Sequence, residues 1–556
     1  MEGIRYTSPH TPCASQKPES LFLMTSRRFI DHAALWLLPL AFVAVLFVMR
    51  ASSLPFWQSF NLDPDYYYLL NGLRIVEGLA PTDISHPGTP VQLLIAATIK
   101  ALHPLTSTEA TVDAVLRDAE GVLVAATSVI YVLIGLSLWW MGRAVWGATG
   151  AVLPALLAQT APLLSRIVPK FALHPKPEPF LVIAVALLVA AVMPLIRPRD
   201  DGKWDRAAAL AGVAMALGIA CKVHFAVLGV LPLLLVDRRR FLIYVGVGAA
   251  ALVVFVAPAL PSWSIWVDWI GRMVMHSGAY GEGAATVIDT GRYPRAVLKL
   301  FSSKLFMSLG VVGTVLLLSA YFRLRRRGLM EQDRFARLAA GIVAAQVLVV
   351  LSVAKQPAAH YLMPALVLTG PLLAALWSLS RPLMPHIHTR FWGAVLVVLV
   401  ALQIPQMAKQ NAELRGWTEE QMTIDLGARF PGCAKIYYDA ASAQSYAFQR
   451  GDMNAQGRYS AKLATLFPDD EYTWFTNDHT YWKNGLMQWL KPVTLADILG
   501  RHGCVVWRGN QHWTVAPYAN RQIPGFVFDD RCDMGEETLF TKGVKCDGSR
   551  VPVAVP

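Results

Sequence analysis

Charge is scarce in this sequence of 556 residues: Asp, Glu, Lys and Arg together make up only 16%, against roughly 25% in an ordinary soluble domain. Hydrophobic residues make up 54%, too many for a disordered chain, a coiled coil or a plain cytosolic enzyme. Cysteine is rare, with six residues and no CxxC pair, so zinc ribbons and thioredoxin-type motifs lack their ligands. No internal repeat divides the chain into the two similar halves that many transporters show. Acidic charge is short as well: 50 Lys and Arg stand against 38 Asp and Glu, a formal net charge of +12. Such an excess can mark nucleic-acid binding. No basic-aromatic module accompanies it here, and its placement assigns it to membrane topology.

What is present is a series of long apolar runs. A helix needs about 20 apolar residues to cross a bilayer. Candidate spans lie near 33–49, 121–141, 144–163, 178–196, 207–220, 223–236, 241–260, 298–321, 337–354, 360–378 and 391–405, about eleven in all, of which 207–220 and 223–236 are short. The stretch 91–102 is shorter still and reads as an interfacial or re-entrant helix. The first run follows Arg27 and Arg28, as in a signal peptide, but Arg50-Ala51-Ser52 is a poor cleavage site, so it reads as an uncleaved span.

Basic clusters fall at Arg27/Arg28, Arg143, Arg197/Arg199/Lys203/Arg206, Arg238/Arg239/Arg240, Arg323/Arg325/Arg326/Arg327 and Arg381/Arg390. With 91–102 not counted as a crossing, all of them land on one side, which the positive-inside rule makes cytoplasmic. The opposite side receives the loops 50–120, 164–177, 261–297 and 355–360, a turn near 221–224, and everything after about 406. The expected organisation is a cytoplasmic tail (1–32), a transmembrane domain (33–405) with the large outer loop 50–120, and a soluble domain (406–556). In a bacterium this is an inner-membrane protein whose last domain is periplasmic or extracellular.

The last domain alternates helix and strand patterns. GWTEEQMTIDLGARF and LADILGRHG read as helices, AKIYYD and CVVWRG as strands, which predicts a small α/β domain. Four of the six cysteines lie here: Cys433, Cys504, Cys532 and Cys546. An even number outside the cytoplasm points to disulfides. Three pairings are possible; Cys433 with Cys504 and Cys532 with Cys546 is the expected one. Cys221 falls within a span and reads as core.

Ionisable residues near the ends of spans gather on the outer side, where each is a functional candidate. Asp63 and Asp65 precede a helix that carries Tyr66, Leu69, Leu70, Leu73 and Val76 on one face. That spacing suits an amphipathic helix on the bilayer surface. Helix capping is the plain structural role for such acids, but two of them exceed what a cap requires. His86-Pro87-Gly88-Thr89-Pro90 makes a rigid turn into the 91–102 helix. The stretch 166–179 carries Arg166, Lys170, His174, Lys176 and Glu178 directly before a span. Lys222 and His224 lie between two short apolar stretches, and Lys355, His360 and Tyr361 join two later spans. Each cation alone suits a snorkelling role. Together, on the side where basic residues are disfavoured, they form a cationic ring that favours an anionic ligand. Trp263, Trp266 and Trp269 in the 261–297 loop, which also holds Arg272, His276 and Tyr280, read as an interfacial anchor.

This arrangement resembles the GT-C superfamily of integral membrane glycosyltransferases, which includes protein O-mannosyltransferases and the aminoarabinose transferases of lipid A. The resemblance covers roughly 30–405 and rests on the order of several short motifs: Asp63/Asp65, HPGTPVQLL, Met141-Gly-Arg-Ala-Val-Trp-Gly147, Ser165-Arg166, Glu178, Lys355 and Tyr361-Leu362-Met363-Pro364. It implies a multi-pass helical fold and a polyprenyl-phosphate-linked sugar as donor. Asp63, Asp65 or Glu178 then act in catalysis, with Asp63 or Asp65 as the base. Lys355, Arg166, Lys170, Lys222, His86 and His360 contact the donor phosphate, and Tyr66, His174, Lys176, His224 and Tyr361 bind substrate. A divalent cation, magnesium or manganese, is a further expected partner, bridging a carboxylate to the phosphate. The acceptor is an extracytoplasmic glycan, lipid or protein, and a single displacement inverts the anomeric centre. The alternative reading is a secondary transporter or glycolipid flippase, which would show a continuous central pathway instead of one cavity opening outward.

Overall fold

The computed structural model describes residues 18–58, 65–85, 88–198, 200–277, 284–326, 333–422, 425–438, 443–467, 472–476, 485–489, 491–509, 514–534, 537–549 and 551. Asp63, His86, Arg199, Tyr280 and Arg327 lie outside the described residues.

Helix α1 (Pro18–Ala51) leads through a 3-10 turn (Phe56–Gln58) to three shorter helices, α2 (Tyr66–Val76), α3 (Thr89–Leu102) and α4 (Thr108–Arg117). Next come α5 (Ala119–Thr149), α6 (Val152–Gln159), α7 (Ile167–Ala172), α8 (Pro177–Val192) and α9 (Asp201–Cys221). A 3-10 segment (Val223–Gly229) and α10 (Val230–Leu233) precede α11 (Arg238–Val256), α12 (Trp263–Met275), α13 (Tyr293–Ser302), α14 (Leu305–Arg325) and α15 (Asp333–Val353). The bundle closes with α16 (Met363–Val367), α17 (Thr369–Ser380) and α18 (His388–Met422).

Among the described residues nine helical segments are long and apolar enough to span a bilayer. The expected spans 144–163 and 223–236 appear as shorter apolar pieces, Val152–Leu163 and Val223–Leu233. Pro154, Pro162 and Pro232 explain why: each removes a backbone donor and cuts the run into short helical and 3-10 turns. Both pieces nevertheless carry the chain from one end of the bundle to the other. Gly147 and Arg197, which end their helices, are neighbours, as are Asp65 and His174 at the opposite end. The chain between α5 and α8 therefore crosses.

The core is α8 and α17. Of their spans, Pro177–Ile196 and Ala359–Leu383, 89% and 94% of the apolar window is buried, against 11% for Arg238–Met275 and 22% for Leu305–Arg325. A helix apolar all round belongs inside a bundle. Buried amides hold its neighbours. Gln159 Nε2 donates to the carbonyls of Leu35 and Leu138 at 2.9 and 3.1 Å, and Gln346 Nε2 donates to that of Ala365 at 2.9 Å. Helices α9 and α11 cross closely at Gly212, where a Cβ would lie 2.5 Å from the Tyr244 carbonyl oxygen. Small residues are the usual device for such crossings in a bilayer.

The bundle's two ends differ. One gathers Arg143, Arg197, Lys203, Arg206, the Arg238–Arg240 run, Arg334 and Arg381, and is called the basic end below. The other carries α2, α3, α4 and the C-terminal domain. The expected boundary at 405/406 falls inside α18, which continues unbroken past Pro405 to Met422. Arg166 meets Glu413 there at 2.6 Å, and Arg415 Nε donates to Ser52 Oγ at 3.2 Å, so the helix belongs to the bundle well beyond the expected boundary.

After α18 and α19 (Leu426–Arg429) comes an α/β domain with seven strands among the described residues: β1 (Ala434–Tyr438), β2 (Tyr472–Thr476), β3 (Gly485–Gln488), β4 (Lys491–Val493), β5 (Val505–Gly509), β6 (Asp530–Met534) and β7 (Glu537–Lys542). Their order is β4-β3-β2-β1-β5-β7-β6, with β2, β1 and β5 parallel and the outer pairs antiparallel. Helices α20 (Gln444–Asn454) and α21 (Ser460–Leu466) connect β1 to β2; α22 (Leu495–His502) and α23 (Val515–Gln522) flank β5. Alternate residues serve two cores, as the strand period requires. Ile436, Tyr438, Phe475 and Trp507 pack with α22 and α23. Tyr437, Trp474, Val506 and Leu539 belong to the core that is continuous with the bundle. Cys433 is bonded to Cys504, and Cys532 to Cys546.

That continuity corrects the expectation for α2. Its Tyr66–Leu73 stretch is buried on every side, so it does not lie on a bilayer surface with one wet face. Helix α20 covers the face that its sequence leaves polar. Gly451 permits the approach, since a Cβ there would sit 2.8 Å from the Tyr66 carbonyl oxygen. Arg450 Nε donates to Tyr67 Oη at 2.8 Å and Arg74 Nη1 to the Ala455 carbonyl at 3.0 Å. Glu77 accepts from Arg458 Nη2 and Tyr459 Oη, both at 2.7 Å. Burial opposes the Glu77 charge, but those two hydrogen bonds outweigh it and hold the carboxyl below its ordinary value.

Candidate active site

Asp65 precedes the first turn of α2, where an acid would ordinarily cap the helix. Its side chain makes no capping hydrogen bond. Instead the carboxylate is fully buried and Oδ2 lies 2.8 Å from His174 Nδ1. An ionised carboxylate only accepts, so the imidazole N–H donates. Asp65 Oδ1 is buried with no hydrogen-bond partner among the described residues. A buried acceptor without a donor is uncommon in a folded protein and marks a place where a ligand's donor is missing.

The surroundings of Asp65 fix it in place. Phe56 sits edge-on to His174 at 6.1 Å, and the Arg50 guanidinium lies 4.1 Å from the Phe56 ring centre. Arg50 also hydrogen-bonds the Leu54 carbonyl. Glu120, near the start of α5, accepts from the backbone amides of Phe56 (2.9 Å) and Trp57 (3.2 Å) and from Tyr66 Oη (2.9 Å). Gln444, from the sheet domain, donates to Tyr66 Oη at 3.2 Å. Burial, and then the Glu120 charge, push the Tyr66 hydroxyl well above 10, so it remains a donor. Tyr66 is thus engaged in positioning α2, with both hydrogen-bonding roles of its hydroxyl already used. Glu120, Arg50 and Gln444 were not singled out by the sequence. An acid at the outer end of a span is the one signal that pointed to Glu120.

The stretch 171–178 links Asp65 to the cations. Prolines at 175, 177 and 179 hold Lys176 extended (φ −121°, ψ 173°) until α8 begins at Pro177. On this short ribbon His174 faces Asp65, and Glu178 Oε1 meets Lys222 Nζ at 2.5 Å, both side chains being only 5% exposed. Lys176 is buried beside them. His360 Nε2 is 4.0 Å from the same Glu178 oxygen, and its ring stacks on Phe171 at 4.8 Å. Lys222 ends α9, where a cation suits the helix dipole. Its ammonium lies 4.4 Å from the ring centre of Tyr361, which His224 contacts edge-on at 5.8 Å.

Beyond Lys222 lies a cavity of about 250 Å³, lined among others by His224, Trp269, Lys355, Gln356 and Tyr361. Lys355 donates to the Val274 carbonyl at 2.8 Å, and burial lowers the pKa of its ammonium. His224 Nε2 is buried without a hydrogen-bond partner. Among the described residues the cavity therefore presents two lysines and an unsatisfied imidazole nitrogen, with no carboxylate on its wall.

Of the sequence candidates, the ribbon and the 360–361 turn thus gather Asp65, His174, Lys176, Glu178, Lys222, His224, Lys355, His360 and Tyr361. Asp65 and Lys355 do not share one cavity: Lys355 lines the 250 Å³ cavity and Asp65 does not. Arg166 is drawn away, exposed and bonded to Glu413 at 2.6 Å, and Lys170 is exposed. Asp63 and His86 fall outside the described residues. Trp269 turns inward to the cavity, whereas Trp263 and Trp266 stack on each other at 4.4 Å.

Asp63, one of the carboxylates expected to bridge a divalent cation, lies outside the described residues. Among the described residues no group of three or more His, Cys, Asp or Glu could hold a metal ion. Glu178 already faces an ammonium and Asp65 an imidazole.

No protein-family model matches this chain, and no curated protein sequence matches it significantly. Among solved structures it is similar to the crystal structure of ArnT from Cupriavidus metallidurans bound to undecaprenyl phosphate. The identity is 12% and the TM-score 0.48, over 90% of this chain and 97% of that one.

Proposed function

We propose that this chain is an integral membrane glycosyltransferase of GT-C type, which moves a sugar from a polyprenyl-phosphate donor to an acceptor at the end of the bundle opposite the basic residues. The observation that carries the reading is Asp65: a buried carboxylate that does not cap its helix, with one oxygen held by His174 and the other left without a donor. An acceptor hydroxyl supplies that donor.

In the reaction Asp65 Oδ1 takes the hydroxyl proton as the acceptor oxygen bonds to the anomeric carbon. The bond between that carbon and the phosphate oxygen breaks, and its electron pair leaves with the lipid phosphate. One displacement inverts the anomeric centre. A positioned carboxylate contributes about 10²–10⁴-fold. His174 keeps Oδ2 occupied, so the proton is taken at Oδ1. Lys222, which the 174–178 ribbon links to Asp65, stabilises the charge that grows on the leaving phosphate, with His360 beside it; Lys355 and His224 line the adjoining cavity. Glu178 orients Lys222 and is not the base.

The positive-inside rule makes the basic end cytoplasmic. The site and sheet domain then lie outside, in the periplasm if the chain sits in a bacterial inner membrane. The purified chain should consume one member of a panel of polyprenyl-phosphate sugars, releasing polyprenyl phosphate and forming a product of inverted anomeric configuration. If every donor survives intact while a lipid-linked sugar crosses sealed vesicles, the chain is a transporter and this reading is wrong.

A further inference from the structure

A larger cavity than the one just described also lies beside charged groups. It lies at the basic end, about 830 Å³, between α5, the end of α8 and the start of α9. Its polar wall carries Arg143, Arg197, Lys203 and Arg206 against one acid, Asp200, which is bonded to Lys203 at 2.7 Å. Among the described residues no carboxylate pairs with Arg143, Arg197 or Arg206. Arg143 has instead His32 Nε2 at 3.3 Å and the Trp146 ring at 5.9 Å. Two indole N–H groups of the same wall, Trp139 Nε1 and Trp204 Nε1, are buried without an acceptor. Trp204 is only 9% exposed, with the guanidiniums of Arg240 and Arg334 at 5.6 and 5.3 Å from its ring centre. The apolar wall opens sideways through Leu136, Trp140 and Leu210, each 44–46% exposed, where the bilayer would lie.

We infer that this cavity is a binding site for an anionic glycerophospholipid, its phosphate held by Arg143, Arg197 and Arg206 and its upper chains lying along Leu136, Trp140 and Leu210. The charge is complementary: three cations without carboxylate partners face one occupied acid. The spare indole donors suit phosphate or ester oxygens, which lie at the depth where tryptophan is favoured. Basic pockets between helices at a membrane face are known to take lipid head groups. The volume exceeds what a bare phosphate needs, and the lateral opening admits an occupant directly from the leaflet.

Native mass spectrometry of the full chain, with phosphatidylglycerol or phosphatidylcholine added to the micelle, tests this. Phosphatidylglycerol should be retained at least about tenfold better, and the preference should fall roughly fivefold for each charge removed in Arg143→Gln and Arg143→Gln/Arg197→Gln. Trp204→Phe should weaken retention while leaving the charge unchanged. Should the double variant not fold, the exposed Arg206→Gln and Trp204→Phe carry the comparison. Equal retention of both lipids, retention indifferent to these substitutions, or displacement of phosphatidylglycerol by an equimolar polyprenyl phosphate would each overturn the assignment.

Discussion

The two ends of the bundle handle charge in opposite ways. At the site end the carboxylates are buried against nearby cations: Asp65 with His174, Glu178 with Lys222. At the basic end most charges are exposed, such as Arg239 (66%) with Asp205 and Lys203 (73%) with Asp200. One guanidinium there is the exception. Arg240 is fully buried and bonds Asp237 and Asp201, with Asp205 at 3.0 Å. Exposed charges at the basic end set orientation at little energetic cost, because water solvates them. Buried pairs at the site end are costly to assemble and leave few free atoms. Asp65 Oδ1, a carboxylate oxygen left without a donor among the described residues, is therefore informative.

Breaking each pair should reproduce this difference. Lys222→Met leaves Glu178 buried with a missing ammonium and should destabilise the protein by about 3–5 kcal/mol. Glu178→Gln/Lys222→Met should recover most of that loss, though not activity. Thermal unfolding in detergent reads both, and a Lys222→Met protein as stable as wild type contradicts the assignment. Arg240→Met should cost less, about 2 kcal/mol, because the carboxylates it leaves are partly solvated: Asp201 is 59% and Asp237 38% exposed.

A third substitution sharpens the contrast at the sheet-domain contact. Glu77 has its folded pKa lowered by Arg458 and Tyr459 against the cost of burial. Its contribution is therefore fully present above the unfolded value of about 4.3 and lost as pH falls through the folded value. Glu77→Gln should weaken docking of α20 and α21 by about 1 kcal/mol at pH 7 and by less near pH 3. Hydrogen exchange of α20 at the two pH values checks the sign. Arg239→Gln, at an exposed pair, should change stability by less than about 0.5 kcal/mol.

Much of this contrast was legible in the sequence. Arginine runs at the ends of apolar stretches marked one end of the bundle, whereas the shortening of the run 144–163 to Val152–Leu163 was not anticipated. The residues 174–178 and 222–224 stood out because cations there break the topological rule. What the sequence could not show is pairing across distance. Asp65 and His174 are 109 residues apart, and Glu178 reads equally as base or counter-ion until Lys222 is seen beside it. The same holds for α2. Its spacing is that of an amphipathic helix, and only the sheet domain, more than 300 residues later, covers its polar face through Arg450 and Ala455. Glu120 escaped notice because two of its partners, the Phe56 and Trp57 amides, are backbone groups and the third, Tyr66, lies 54 residues away.

The most direct measurement is single-turnover sugar transfer by Asp65→Asn, in protein whose unfolding temperature matches wild type. The amide keeps the size and can still bond His174, but it cannot accept the acceptor's proton. The rate should fall by about 10²–10⁴-fold with donor binding retained. A variant that transfers at the wild-type rate would remove Asp65 as the base, and with it the chemistry assigned to this end of the bundle.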